Sequence, residues 1–147
     1  MPEAPGVAAA LVRLSFLVQS VYAEVCSQHG LTPPQAQLLC VVSECPRRMS
    51  ELAPMMRLEK SSLSGLVDRV ERKGWVRRVA SPEDGRAITV ELTAGGRRLA
   101  DAFHARTTER LTEMVACMPP DERRAFASIA DQIVSEHAVP VVFQDAP

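Results

Sequence analysis

The sequence predicts a mostly α fold with one small β-hairpin, an α+β chain rather than an all-helical bundle. Three observations lead there. Apolar residues recur at helical spacing along most of the chain, as in Leu63, Leu66, Val67 and Val70. The period switches to alternation in one region, where Ile88, Val90 and Leu92 interleave with Thr89 and Glu91. Gly30, Cys45-Pro46, Gly74 and Pro119-Pro120 cut the chain into short segments. With 147 residues, 46% hydrophobic and 24% charged, the chain has the composition of one globular domain, residues 1–147. Disorder, a collagen repeat and a disulfide scaffold are disfavoured.

A first helix is expected over Ala8–Gln28, with Leu11, Leu14, Val18, Val21, Tyr22 and Val25 on one stripe. Val12, Phe16 and Leu17 lie off that stripe, so the helix is apolar on more than one side, as a helix between subunits is. Gly30 ends it. Thr32-Pro33-Pro34-Gln35 opens a second helix with a cap, a proline at the first helical position and a capping-box glutamine. It runs to about Ser43, with Leu38, Leu39 and Val42 inward. Ser50 is the expected cap of a short third helix, and Pro54 predicts a distorted start to it. A fourth helix spans about Lys60–Lys73, stopped by Gly74. Trp75–Val79 and Ile88–Leu92 then form a hairpin with a long polar tip, Ser81–Arg86. Thr93 caps a fifth helix reaching about Cys117, and Pro119-Pro120 opens a sixth with Phe126, Ile129, Ala130, Ile133 and Val134 on one side. The apolar tail Val139–Phe143 is expected to dock on a neighbouring element.

No run reaches the roughly 18 apolar residues needed to cross a bilayer, and the start Met-Pro-Glu lacks the basic residues of a secretory signal. The expected location is the cytoplasm, without membrane contact. Cys26, Cys40, Cys45 and Cys117 form no Cys-x-x-Cys pair, and no histidine lies at zinc-ligand spacing. They read as reduced, mostly buried thiols, with no metal or cofactor implied. His29, His104 and His137 are far apart, without the spacing of a nucleophile–base–acid set, so an enzyme is not expected.

The formal charge of -1 hides an asymmetry. Arg47 to Arg98 holds 12 basic and 7 acidic residues, a net of +5; the rest holds 5 and 11, a net of -6. A basic centre between acidic helical ends is an electrostatic footprint for phosphate. The element order sharpens this. Short helices followed by a hairpin with an arginine at its tip form a winged helix-turn-helix, whose second helix of the pair enters the DNA major groove. Such a helix needs a small polar outer face, and Ser61, Ser62, Ser64 and Gly65 supply one. Lys60 stands at its start, with Arg69 and Arg72 further along for phosphates or a guanine edge. Arg77 and Arg78 on the first wing strand are candidate phosphate contacts. Arg86 is placed to enter a minor groove, with Asp84 expected to hold its guanidinium in a fork-shaped ion pair.

On these residues the chain resembles the MarR (multiple antibiotic resistance regulator) family of bacterial transcription factors. The carriers are Ser50-Glu51-Leu52-Ala53, the run Lys60 to Val76, the tip Asp84-Gly85-Arg86, and Leu92-Thr93-Ala94-Gly95-Gly96-Arg97. Gly65 departs from the larger, often basic side chain common at its position, and Pro54 is unusual in the third helix. The resemblance implies a homodimer on double-stranded DNA with a pseudo-palindromic operator. Residues 31–98 would be the DNA-binding lobe, and 1–30 and 99–147 the dimerisation helices. Leu11, Leu14, Val18, Phe126, Ile129 and Ile133 are the candidate interface residues. It also implies repression relieved by a small aromatic or phenolic effector, for which Phe16, Tyr22 and His104 are candidate lining residues. Two alternatives share the fold: a redox-switched regulator using Cys26, and a winged-helix module for protein partners.

Overall fold

A computed structural model of the chain describes residues 6–81, 83–140 and 142. The elements, in order, are α1 (Val7–Gln28), α2 (Pro33–Glu44), β1 (Arg47–Arg48), α3 (Met49–Met56), α4 (Lys60–Arg72), β2 (Val76–Ala80), β3 (Ile88–Leu92), α5 (Ala94–Met114) and α6 (Pro120–Ser135). The fold is mostly helical with a three-stranded antiparallel sheet in the order β1-β3-β2.

Local chemistry accounts for most boundaries. α1 stops where Gly30 turns to φ 67°. At the start of α2 the Gln35 N–H donates to Thr32 Oγ1 at 3.4 Å and the Thr32 N–H to Gln35 Oε1 at 3.1 Å, a complete capping box. α4 ends at Gly74, φ 77°, with the Trp75 N–H donating back to the Val70 carbonyl at 3.3 Å. Thr93 caps α5, its Oγ1 accepting from the Gly96 N–H at 3.0 Å and donating to the Gly74 carbonyl at 2.6 Å.

Several expectations need correction. α3 begins at Met49, so Ser50 lies inside it and is not its cap. The first-turn partner is Glu51, whose Oε2 accepts the Arg48 N–H at 3.2 Å. Pro54 is the sixth residue of α3 and falls near its end, not its start. Its missing N–H costs one ladder bond, and the helix stops within two residues. Arg57, left-handed at φ 54°, closes it with the Leu58 N–H on the Ala53 carbonyl at 3.0 Å. The hairpin is joined by a third strand that the sequence did not announce: Arg47 pairs with Val90 and Arg48 with Thr89. α1 is long and apolar enough to cross a membrane by length and composition, against the expectation that nothing is. Arg13, Ser15, Gln19 and Glu24 interrupt it. Of the tail, Val141 and Phe143 lie outside the described residues, while Val142 packs against the core.

The core sits where α2, α4 and α5 meet the sheet. Phe103, Leu38, Leu39, Leu52 and Leu63 are the largest side chains buried there, each worth about 1.5–3 kcal/mol of apolar transfer. Tyr22 of α1 meets Phe103 edge-on, with centroids 5.0 Å apart. Only the second half of α1 reaches this core, through Val21, Val25 and Cys26, and α6 contributes no buried residue.

Candidate nucleic-acid interface

α4 turns Leu63, Leu66, Val67 and Val70 into the core. Its other side therefore presents Ser61, Ser62, Arg69 and Arg72 to solvent, with Ser64 and Gly65 half-buried beside them. Gly65 has a direct steric consequence. A Cβ there would stand 3.4 Å from Arg69 Nη1, so the bare glycine gives the guanidinium room to lie along the helix one turn away.

The cations divide into two groups. Among the described residues, Lys60, Arg69 and Arg86 have no side-chain partner, and Arg72 donates only to the Asp68 carbonyl of its own helix at 3.3 Å. Others are already neutralised. Arg78 donates to Asp68 Oδ1 at 2.7 Å, Glu71 Oε1 at 2.9 Å and the Ser64 carbonyl at 3.3 Å. Its own N–H donates to Glu71 Oε2 at 2.9 Å. Arg77 pairs with Glu91 at 2.5 Å, and Arg48 with Glu83 at 3.4 Å. Arg78 was expected to be a phosphate contact. The structure instead turns it inward as a clamp between β2 and α4, and Arg77 faces a cross-strand carboxylate. Cations without a carboxylate partner thus stand on the outer face of α4 and on the hairpin tip, and, among the described residues of the same basic segment, also at Arg47, Arg57, Lys73, Arg97 and Arg98.

The tip is built differently from expectation as well. Asp84 Oδ1 accepts the backbone N–H of Arg86 at 3.0 Å, and no ion pair joins the two side chains among the described residues. The carboxylate shapes the turn, and the guanidinium of Arg86 stays free. The Ser81 N–H to Ala87 carbonyl bond at 2.8 Å closes the base of the tip. Sequence reasoning missed the Arg48–Glu83 pair, which ties the tip to β1. It also missed Asp68 and Glu71 as clamp partners, although their spacing of three on one helix is a signal for a shared cation.

A cavity of about 310 Å³ lies between α1, α2 and α5, with Tyr22 and Thr107 in its wall. Of the three candidate effector contacts, only Tyr22 lines it. Phe16 is 68% exposed on α1, and His104 lines a separate polar cleft with Arg97 and Asp101. The thiols split evenly: Cys26 and Cys40 are buried, Cys45 and Cys117 exposed. Burial pushes the Cys26 thiol up, and pushes that of Cys40 up to about 11. A sensor thiol needs the opposite, exposure and a lowered pKa, so the structure removes the basis for Cys26 as a redox switch.

The fold and this face together define a winged helix-turn-helix protein, with an exposed, serine-rich second helix and a cationic wing tip. Residues 29–87 match the family model described as the MarR family. The winged lobe is thus similar to the MarR family over these residues. It is 27% identical over 65% of its length to the HTH-type transcriptional regulator YfiV of Bacillus subtilis strain 168, matching 60% of that protein. It is 31% identical over 55% of its length to the multiple antibiotic resistance protein MarR of Escherichia coli strain K12, matching 57% of that protein. The chain thus spans somewhat over half the length of these relatives. The crystal structure of NadR in complex with 4-hydroxyphenylacetate superposes with a TM-score of 0.71 at 18% identity, covering 90% of this chain and 95% of that one, a likeness of fold.

Proposed function

We propose that this protein is a cytoplasmic, sequence-specific DNA-binding transcriptional regulator. It acts as a homodimer on a pseudo-palindromic operator and represses until a small molecule releases it. The observation that carries the reading is the charge division on the winged lobe. Lys60, Arg69, Arg72 and Arg86 keep their charge available, and all four stand on α4 or the tip, where a helix-turn-helix meets the major and minor grooves. Ser61, Ser62 and Ser64 add hydroxyls for phosphates and base edges, and their small size lets the helix backbone come close. Arg78 takes no part in contact and orients the wing against α4. The relatives named as regulators support the role, and the NadR complex supports an effector.

Dimerisation is supported by apolar surface without cover. Leu11 is 51% exposed, Phe126 47%, Ile129 57% and Ile133 45%. Leu14 and Val18, half-buried, line an apolar groove with Met114 and Phe126 between α1, α5 and α6. An apolar surface on both terminal helices marks a protein contact. Selection of bound fragments from a genomic library by the purified protein, read by sequencing, tests the proposal. Enrichment of one motif with two half-sites about 34 Å apart is expected. Recovery without a shared motif would overturn it.

A further inference from the structure

We propose that Gly65 is a specificity-determining residue: its missing side chain opens a slot on the outer ridge of α4, and Arg69 lies in that slot to read one guanine of each half-site. This rests on the DNA-binding reading above and deepens it.

Nothing in the fold of the chain requires a glycine at position 65. The positive-φ glycines are Gly30 and Gly74, so the backbone of Gly65 suits any residue. Packing does not demand it either. A Cβ on Gly96 would run into the Trp75 backbone at 1.8 Å, whereas one on Gly65 would meet only Arg69 Nη1, at 3.4 Å, within 4 Å among the described residues. A glycine in a helix interior is destabilising relative to ordinary residues. Its one structural effect here is on where the Arg69 guanidinium can lie.

That place is the part of α4 that a major groove would meet first. At about 100° per residue, Ser61, Gly65, Asp68 and Arg72 stand roughly 150–170° from the middle of the inward stripe of Leu63, Leu66, Val67 and Val70. They form the outer ridge. Arg69 stands only about 110° from that stripe, on one flank. Its side chain reaches the ridge only where a ridge position is vacant, and Gly65 is that vacancy. Helical side chains lean toward the N-terminus of their helix, so the residue four places on is the one that covers position 65. This carries the guanidinium toward the N-terminal half of α4, the half of a recognition helix that contacts base edges. Asp68, the carboxylate beside Arg69 in sequence, is engaged by Arg78 at 2.7 Å. The fork of N–H groups in the slot matches O6 and N7 of guanine, an acceptor pair that the major groove shows at no other base.

The test is selection from a random-sequence DNA library by the full chain as wild type, Gly65→Leu, Arg69→Ala and the double variant, read by sequencing. Fluorescence anisotropy gives the affinity of each for the wild-type site. The wild-type half-site is expected to hold one guanine whose preference falls about tenfold or more in Arg69→Ala. Gly65→Leu is expected to lose preference at that same position, with a raised Tm because leucine is the better helix former. In the Arg69→Ala background, adding Gly65→Leu is expected to cost less than about twofold in affinity, since the reading group is already gone. An unaltered motif in Gly65→Leu overturns the inference. So does an equal loss with and without Arg69, which marks a plain clash of the leucine with DNA. Arg69→Ala binding that weakens uniformly across sequences marks a phosphate contact and overturns it too. Each of these results leaves the DNA-binding reading standing, whereas a wild type that selects no motif overturns both.

Discussion

Arg69 and Arg78 carry the same charge, nine positions apart in one basic segment, and the structure gives them opposite work. Arg69 has no side-chain partner among the described residues, whereas Arg78 is held by Asp68, Glu71 and the Ser64 carbonyl. Charge counting could not separate them, because pairing depends on what β2 brings against α4. The difference is measurable. Arg69→Ala and Arg86→Ala are each expected to weaken operator binding by about 1–3 kcal/mol with unchanged thermal unfolding. If Arg69 meets a phosphate, its loss also lowers the salt slope by about 1. Arg78→Ala is expected instead to cost about 1–2 kcal/mol of stability, discounted for its partial exposure. Fluorescence anisotropy across a salt series, beside thermal melts, separates the two classes. A melt of Arg78→Ala identical to wild type would remove the clamp. At this scale the sequence shows which residue types populate the face, and the fold decides which of them keep a free charge.

At the scale of elements, legibility followed the strength of local chemistry. The α2 capping box, the single apolar stripe of α4 and the alternating β3 all stand where their residues place them, because each is stabilised within its own segment. β1 was invisible for the converse reason: Arg47-Arg48 has no alternation and no β-branched residue, and is a strand only because β3 lies beside it. The junction between hairpin and α5 is similarly non-local. The Trp75 carbonyl accepts the Thr93 N–H at 3.1 Å, and Thr93 Oγ1 reaches the Gly74 carbonyl at 2.6 Å. These bonds draw the first turn of α5 onto the exit of α4, and Gly96 is the residue that lets it come so near. A Cβ on Gly96 would fall 1.8 Å from the Trp75 oxygen, while one on Gly95 would meet nothing closer than 3.8 Å. Adjacent glycines therefore predict opposite signs. Gly96→Ala is expected to destabilise by about 3 kcal/mol or more, since backbone must move. Gly95→Ala is expected to stabilise by about 0.5–1 kcal/mol through helix propensity. Urea unfolding of both variants checks this, and similar midpoints for the two would refute the close approach.

At the scale of the whole molecule, the apolar surface and the charge are segregated. The basic middle carries +5 and the terminal segments -6, so the surface available to phosphate and the surface available to a second chain are separate. α1 and α6 are roughly 33 and 24 Å long at 1.5 Å per residue, and Leu11, Phe16, Phe126 and Ile129 are among the apolar side chains on them that the core leaves uncovered. A membrane could cover the apolar length of α1, but α6 needs cover too and is amphipathic, with Asp121, Glu122 and Asp131 on the same short helix. A second copy of the chain would cover both at once. If it does, affinity for the operator comes mainly from linking two weakly binding lobes, because the second engagement is then intramolecular and gains about 10²–10⁴. Ile129→Asp places an unpaired charge in that contact and touches nothing in the buried core. It is expected to convert the dimer to monomer in sedimentation, to leave the helical circular dichroism intact, and to reduce operator affinity by at least about 100-fold. Half-site binding should change far less, since each winged lobe is unaltered. An Ile129→Asp protein that still sediments as a dimer, or a wild type that stays monomeric and partitions into vesicles, would assign these helices to another use.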